Sequence, residues 1–235
     1  MSGKPADPTG VAGHLARVLE RIRAAERRFG REPGSVALLA VSKRQEAAKI
    51  SAAFAAGQRA FGESYLQEAV EKMDALKDLA LQWHFIGRIQ GNKTRQIAER
   101  FSWVHSLCDL RHARRLSEQR PRRLQPLKAC VQVNLSGEPS KGGIPPESVS
   151  DLLEECDALP NLEIAGLMTL PAPAESEARQ RRPFRELRRL RDGLKTPDRP
   201  LGVLSMGMSD DLEAAIAEGV TIVRVGTAVF GPREG

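Results

Sequence analysis

Short apolar runs alternate with amphipathic stretches along almost the whole of this chain, and that alternation limits its fold more than any other feature. The apolar runs cover 36–41, 59–63, 81–86, 103–107, 127–134, 163–168, 201–205 and 221–225. Each has the length and branched or aromatic content of a buried strand. Between them, 46–56, 65–79, 92–100, 110–119, 145–158, 183–194 and 210–218 read as helices, and the helix after the eighth strand is expected to be missing or barely begun. Glycines stop several of these helices (Gly57, Gly219), and prolines break or open others (Pro121, Pro145, Pro183). A further helix over 11–29 precedes the first strand, with Leu15, Val18, Leu19 and Ile22 along one side. Strands that alternate with helices form parallel β-α units. Eight of them in 235 residues predict a single α/β domain over 11–235, a (β/α)8 TIM barrel with an N-terminal helix. The rival is an open doubly wound sheet, which requires a glycine fingerprint at the first strand exit. That exit reads Ser42-Lys43-Arg44-Gln45-Glu46 and has no glycine.

Composition narrows the function. The first ten residues are polar and turn-rich; they are expected to be a disordered lead-in over 1–10, without the apolar core of a secretory signal. No run approaches the roughly 18 apolar residues of a membrane span. Cys108, Cys130 and Cys156 form no CxxC pair, which fits a reducing cytoplasm and argues against a metal site. A net charge of +6 brings nucleic acid into view. The arginine runs at 111–123 and 179–191 read instead as solvated helix faces, and aromatics at 4% leave few stacking platforms, so no specific nucleic-acid partner is expected.

In a barrel the active site is built from the C-terminal ends of the strands. Among 36 basic residues, Lys43 ends the most apolar strand. Burial disfavours the charged form of such an amine, and a neutral amine attacks aldehydes. The alternative is a lysine that closes a strand and turns to solvent. The exits of strands seven and eight, Ser205-Met206-Gly207-Met208-Ser209 and Gly226-Thr227-Ala228, suggest a phosphate cup: Ser205 and Thr227 offer hydroxyls, and Gly207 and Gly226 offer backbone N–H groups. Arg224 shares a strand face with Ile222 and Gly226, and within so apolar a strand it needs either a structural ion-pair partner or a ligand. Barrel closure would make strands one and eight neighbours and set Lys43 and Arg224 side by side at one rim. An amine, an arginine and a phosphate cup suit a phosphorylated aldehyde, with pyridoxal 5′-phosphate (PLP) the obvious candidate.

Five segments in order, AVSK (40–43), FGES (61–64), WHFIGRIQGNK (83–93), LSMGMSDD (204–211) and RVGTAVFG (224–231), resemble the pyridoxal phosphate homeostasis proteins, a family whose barrel is like the N-terminal domain of alanine racemase. The resemblance runs from about Leu15 to Gly231. It implies PLP held as an internal aldimine on Lys43, with Arg224 facing the pyridine nitrogen. It also implies a phosphate held by Ser205, Met206, Gly226 and Thr227, with His84 and Asn92 as neighbours of the pocket. Two positions depart from the family pattern. Ser64 stands where the family usually has asparagine, and the shorter hydroxyl reaches less far toward the ring. Arg44-Gln45-Glu46 replaces a Lys-Pro, which moves the expected start of the first crossover helix. The resemblance further implies a protein that keeps free PLP low and available and has no established catalytic turnover; PLP-dependent apoenzymes are the partners expected, a barrel without a second domain is expected to be a monomer, and the cysteine usage already fits the cytoplasm. The competing reading is a low-activity PLP-dependent amino-acid racemase. Two features weigh against it: an arginine at the ring nitrogen keeps that nitrogen unprotonated and a poor electron sink, and the second, all-β domain of racemases has no room in this chain.

Overall fold

The computed structural model describes residues 8–138 and 141–232. Eight parallel strands close into a barrel in sequence order, from β1 (Ala37–Val41) through β2 (Ala60–Glu63), β3 (Gln82–Phe85), β4 (Trp103–Leu107), β5 (Leu127–Gln132), β6 (Leu162–Met168) and β7 (Val203–Ser205) to β8 (Ile222–Val225). β8 returns to pair with β1, Leu39 opposite Arg224 and Ala40 opposite Val225. The crossover helices are α2 (Ala47–Ala55), α3 (Leu66–Ala75), α4 (Thr94–Arg100), α5 (Leu110–Gln119), α6 (Val149–Asp157), α7 (Glu177–Leu194) and α8 (Leu212–Ala217), and a single turn, α9 (Thr227–Phe230), follows β8. The predicted (β/α)8 architecture is therefore the one observed.

Helix α1 (Pro8–Arg28) lies against α2, α8 and α9. It buries Val11, Leu15, Val18, Ile22 and Ala25, one residue per turn of a helical stripe. The Glu26 carboxylate then accepts hydrogen bonds from Gly34 N and Val36 N at 3.0 and 2.8 Å, which fixes the entry into β1. The helix already includes residues 8–10, so the expected lead-in does not extend that far, and its remainder, 1–7, lies outside the described residues. The other large difference is in α7. Pro183 was expected to open that helix but sits inside it, six residues after Glu177. Ser176 caps the true start, accepting from Arg179 N. The arginine-rich face of α7 is also less solvated than its composition suggests. Arg181, Arg185 and Arg188 converge on the buried Glu218 carboxylate at 2.8–3.2 Å and pin α7 to the end of α8.

The outer core between barrel and helices is one large apolar cluster, with a few buried polar groups such as Glu26, Lys72, Arg120 and Glu218 among it. The barrel interior is different. Its apolar part is small, Trp103, Cys130 and Met168 with Ala165 and Val203 beside them. Much of the rest is polar and faces the C-terminal rim.

Candidate functional site

A cavity of about 420 Å³ opens at that rim. Val41, Lys43, Ser64, Ile86, Met168, Leu170, Met208, Ser209, Asp210, Arg224, Gly226 and Thr227 line it, so the exits of β1, β2, β3, β6, β7 and β8 all contribute. A larger hollow of about 550 Å³ lies at the opposite end of the strands around Trp103 and Lys128. Two ion pairs engage its basic side chains, Lys128 with Glu163 at 4.0 Å and Arg199 with Asp157 at 2.6 Å. Chemistry in such barrels belongs to the C-terminal face, and of these two hollows it is the one at that face that combines an amine, a guanidinium and hydroxyl groups.

Lys43 sits on a clamped turn. Ser42 N donates to Gly62 O at 3.0 Å, and Ser42 Oγ donates to Glu63 Oε1 at 2.6 Å. Lys72 Nζ, reaching in from α3, donates to Ser42 O at 2.7 Å and to Glu63 Oε1 at 2.8 Å, and also pairs with Glu68. Arg44 then turns through a left-handed φ of 58°, and its N–H donates to Glu68. Left-handed backbone is costly for a residue with a Cβ and needs this kind of external fixing. The result holds the backbone on both sides of Lys43. Gly87 brings the next exits together: a Cβ there would lie 2.1 Å from Ser64 O, so only glycine lets β3 leave the barrel against the β2 exit.

Arg224 lies deeper than expected. Its register partner on β1 is Leu39, two residues before the strand ends at Val41, whereas Lys43 lies on the turn beyond that end. Both residues line the same cavity. Arg224 is 5% exposed. It donates from Nη1 to Ser205 Oγ at 2.7 Å and from Nη2 to Thr169 O at 2.8 Å. Burial lowers its pKa to about 10. The structural ion pair considered for it is not what holds it, since both of these partners are neutral.

Of the residues expected to form a phosphate cup, two line the cavity and three do not. Gly226 and Thr227 line the cavity, and the first intrahelical N–H donor of α9 is Val229, which leaves the turn before it directed at the rim. Ser205, Met206 and Gly207 do not line it. Ser205 is the last residue of β7 and is fully buried, pointing into the barrel, and Met206 is fully buried as well. Gly207 takes a φ of 83°, and its carbonyl accepts from Arg224 N at 3.0 Å. That turn lifts the chain so that Met208, Ser209 and Asp210 reach the cavity instead. Asp211 Oδ1 steadies the turn by accepting from Met208 N at 2.6 Å. Strand periodicity was the signal: Val203 and Ser205 share the inward face, so the first hydroxyl at the rim is the serine beyond the turn. Asn92 lies exposed in a short 3₁₀ turn, Gly91–Lys93, outside the cavity. Ser64 lines it, as expected.

His84 is also below the cavity, within the barrel, where it belongs to a chain of polar groups that includes a residue not singled out from sequence, His105. His84 Nδ1 and His105 Nε2 are 2.9 Å apart, and His105 Nδ1 is 2.7 Å from Ser205 Oγ. The His84 ring stacks on Trp103, with centroids 5.3 Å apart and planes at 4°. Burial pulls the His84 pKa down to about 3 and that of His105 well below its ordinary value, so both rings are neutral.

Among the described residues no cluster of His, Cys, Asp or Glu could hold a metal ion, and no helix is long and apolar enough to cross a membrane. The three cysteines are free thiols, with Cys130 pushed up to about 12 by burial inside the barrel.

A closed (β/α)8 barrel with a lysine on the first strand exit and an arginine on the last strand defines a class, and the comparison agrees: residues 13–234 match the family described as alanine racemase, N-terminal domain. Within that class the chain belongs to the family of the pyridoxal phosphate homeostasis proteins. The one from Pseudomonas aeruginosa is 55% identical over 224 residues, covering 95% of this chain and 96% of that protein. Its counterpart from Escherichia coli K12 is 47% identical over 227 residues, covering 95% and 97%. The solved structure of PipY from Synechococcus elongatus, described as having PLP bound, superposes with a TM-score of 0.84 at 37% identity, covering 94% of this chain and all of that one. Alanine racemase from Corynebacterium glutamicum, at 19% identity and a TM-score of 0.70, shares the fold.

Proposed function

We propose that this chain binds pyridoxal 5′-phosphate covalently at Lys43 and serves its intracellular homeostasis as a carrier rather than as an enzyme. The observation that carries this reading is that Lys43 and Arg224 line one cavity together with Ser209, Gly226 and Thr227. The residues fit the cofactor. A buried guanidinium without a carboxylate partner favours an acceptor or anion beside it. The names of the relatives and the bound PLP of PipY support the same reading.

Bound PLP supplies an aldehyde and a ring able to delocalise charge. Lys43 would hold the cofactor through its ε-amine, the one nucleophilic amine lining the cavity. The clamp of Glu63, Glu68 and Lys72 keeps the Lys43 backbone oriented into the cavity. Arg224 can only donate, so it presents an N–H to the ring nitrogen and gives that nitrogen no proton. Thr227, Ser209 and the backbone of the β8–α9 turn bind the phosphate. A ring nitrogen left unprotonated draws electrons weakly, which is why turnover is not expected. The reading carries with it a cytoplasmic monomer that yields its cofactor to apoenzymes.

Borohydride reduction of the yellow protein, followed by digestion and mapping, tests the attachment. The adduct is expected on Lys43, and Lys43→Ala is expected to lose the visible band; label on another lysine such as Lys128 would overturn the assignment. Incubation with alanine in deuterated water tests the carrier reading. Slow α-proton exchange without racemisation is expected. Racemisation at about 1–10³ s⁻¹, the ordinary range of enzyme turnover, would make the protein a racemase.

A further inference from the structure

The polar groups inside the barrel form one chain of hydrogen bonds: Arg224 Nη1 to Ser205 Oγ at 2.7 Å, Ser205 Oγ to His105 Nδ1 at 2.7 Å, and His105 Nε2 to His84 Nδ1 at 2.9 Å. All four residues are buried. The direction of the chain follows from its first member. A guanidinium has donors and no acceptor, so the Ser205 oxygen must accept. If Ser205 passes its own proton to His105 Nδ1, then His105 carries its hydrogen on Nε2 and donates to His84 Nδ1. Only one group is then left over, the N–H at His84 Nε2, and that atom is buried without a partner. If the chain ran the other way, both the Ser205 O–H and the His84 Nε2 lone pair would be unsatisfied. Leaving a buried polar group unpaired is costly, so one such group is favoured over two. The cation acts in the same sense, since every lone pair in the first arrangement faces Arg224 and every hydrogen points away from it.

We propose that Ser205 and His105 are positioning residues for Arg224, fixing by a one-way hydrogen-bond chain which of its N–H groups faces the cavity. Ser205 takes one Nη1 hydrogen and Thr169 O takes one from Nη2. The guanidinium plane is thereby set, and its remaining donors are aimed rather than free to rotate. Both histidines are neutral, so no second cation competes with Arg224 for the acceptor brought by a ligand. The proposal rests on the reading of the cavity as a pyridoxal site and gives Ser205 a role that the phosphate does not enter. A hydroxyl acting through Arg224 serves the ring, and the ring is common to pyridoxal and pyridoxal 5′-phosphate.

Two measurements test this. In the protein without cofactor, ¹⁵N spectra of the histidine rings should show His84 and His105 as neutral Nε2–H tautomers; either ring as Nδ1–H would reverse the chain and overturn the proposal whether or not the cofactor reading holds. In the loaded protein, Ser205→Ala should weaken binding of pyridoxal and of pyridoxal 5′-phosphate alike, by about tenfold, the scale expected when a charged donor loses a fixed partner. It should also change the visible circular dichroism of the bound cofactor, which reports ring orientation. Ser205→Thr, which keeps the hydroxyl, should restore both. His105→Leu reaches the same question from the other end of the bond and serves if Ser205→Ala does not fold, with the same joint loss expected. Loss for the phosphorylated ligand alone would make Ser205 a phosphate contact. An unchanged dichroism with unchanged affinities would make the chain a packing feature only. Either result overturns the proposal. Failure of the cofactor reading is distinct: the unmodified protein would then give no visible band with pyridoxal 5′-phosphate at all.

Discussion

Lys72→Met is expected to lower the folding stability by about 3–5 kcal/mol, the usual cost of removing one partner from a buried ion pair. In a chain of this size that corresponds to a fall in Tm of roughly 6–20 °C. Lys72 Nζ is the cation that Glu63 meets inside the protein, and Glu63 is fully buried with its second oxygen, Oε2, unpartnered. Without Lys72, Glu63 would keep only the Ser42 hydroxyl, and Ser42 O would lose its donor. The penalty should depend on pH in a definite sense. Burial already raises the Glu63 pKa, with Lys72 acting to lower it. In the variant the lowering is gone, so the folded pKa rises further. A group with a raised folded pKa contributes stability that is present below its unfolded value and is lost as pH rises through the folded value. The penalty should therefore be smaller below about pH 4.5 than at neutral pH, the part that remains being the lost contacts to Ser42 O and Glu68. Denaturant titrations at the two pH values check this. A penalty below about 1 kcal/mol at neutral pH, typical of a surface pair, would show that Glu63 is stabilised by something else. Because the same three residues clamp the turn that carries Lys43, the variant should also bind cofactor more weakly than a surface control such as Lys77→Met.

The barrel itself was legible because parallel strands buried on both faces leave continuous apolar runs, and because Gly57, Pro121 and Gly219 punctuate them. What misled was a residue whose meaning depends on context. Pro183 looks like a helix start by position, yet Ser176 caps the helix about two turns earlier. The site divides in the same way. Lys43, Ser64, Gly226 and Thr227 lie just beyond strand ends, and there position along the chain and position in the cavity coincide. Ser205 lies within a strand, so its direction is set by the inward or outward alternation of the strand rather than by nearness to a loop. The four-residue offset between Lys43 and Arg224 is a property of barrel shear, which the pairing register reveals and a list of strands does not. His105 escaped notice because its direction, like that of Ser205, is set by strand alternation: on β4 it shares the inward face with Trp103, and a histidine inside a strand gives no sign from sequence alone of whether it faces core or interior.

That displacement of Ser205 changes what the phosphate should require. Ser209 and Thr227, the two hydroxyl residues of the cavity's edge contributed by the β7 and β8 exits, replace the pair first suggested by the sequence. Hydrogen bonds to a charged group contribute about 1.5–3 kcal/mol each, so Ser209→Ala with Thr227→Ala should weaken pyridoxal 5′-phosphate binding by about a hundredfold or more. Pyridoxal, with no phosphate to lose contacts, should bind the double variant nearly as well as it binds the unmodified protein. Both side chains are at the surface of the cavity rather than in the core, Thr227 exposed and Ser209 half-buried, so the fold should tolerate the change and the melting temperature should stay close to its original value. Equilibrium titrations of the two ligands, followed by the visible band, make the comparison. An equal loss for both ligands would mean that these hydroxyls act on the ring or on Lys43, and no loss for either would move the phosphate to another part of the rim. Set beside Ser205→Ala, for which a joint and smaller loss is expected, the double variant separates the groups that hold the phosphate from the group that aims the arginine.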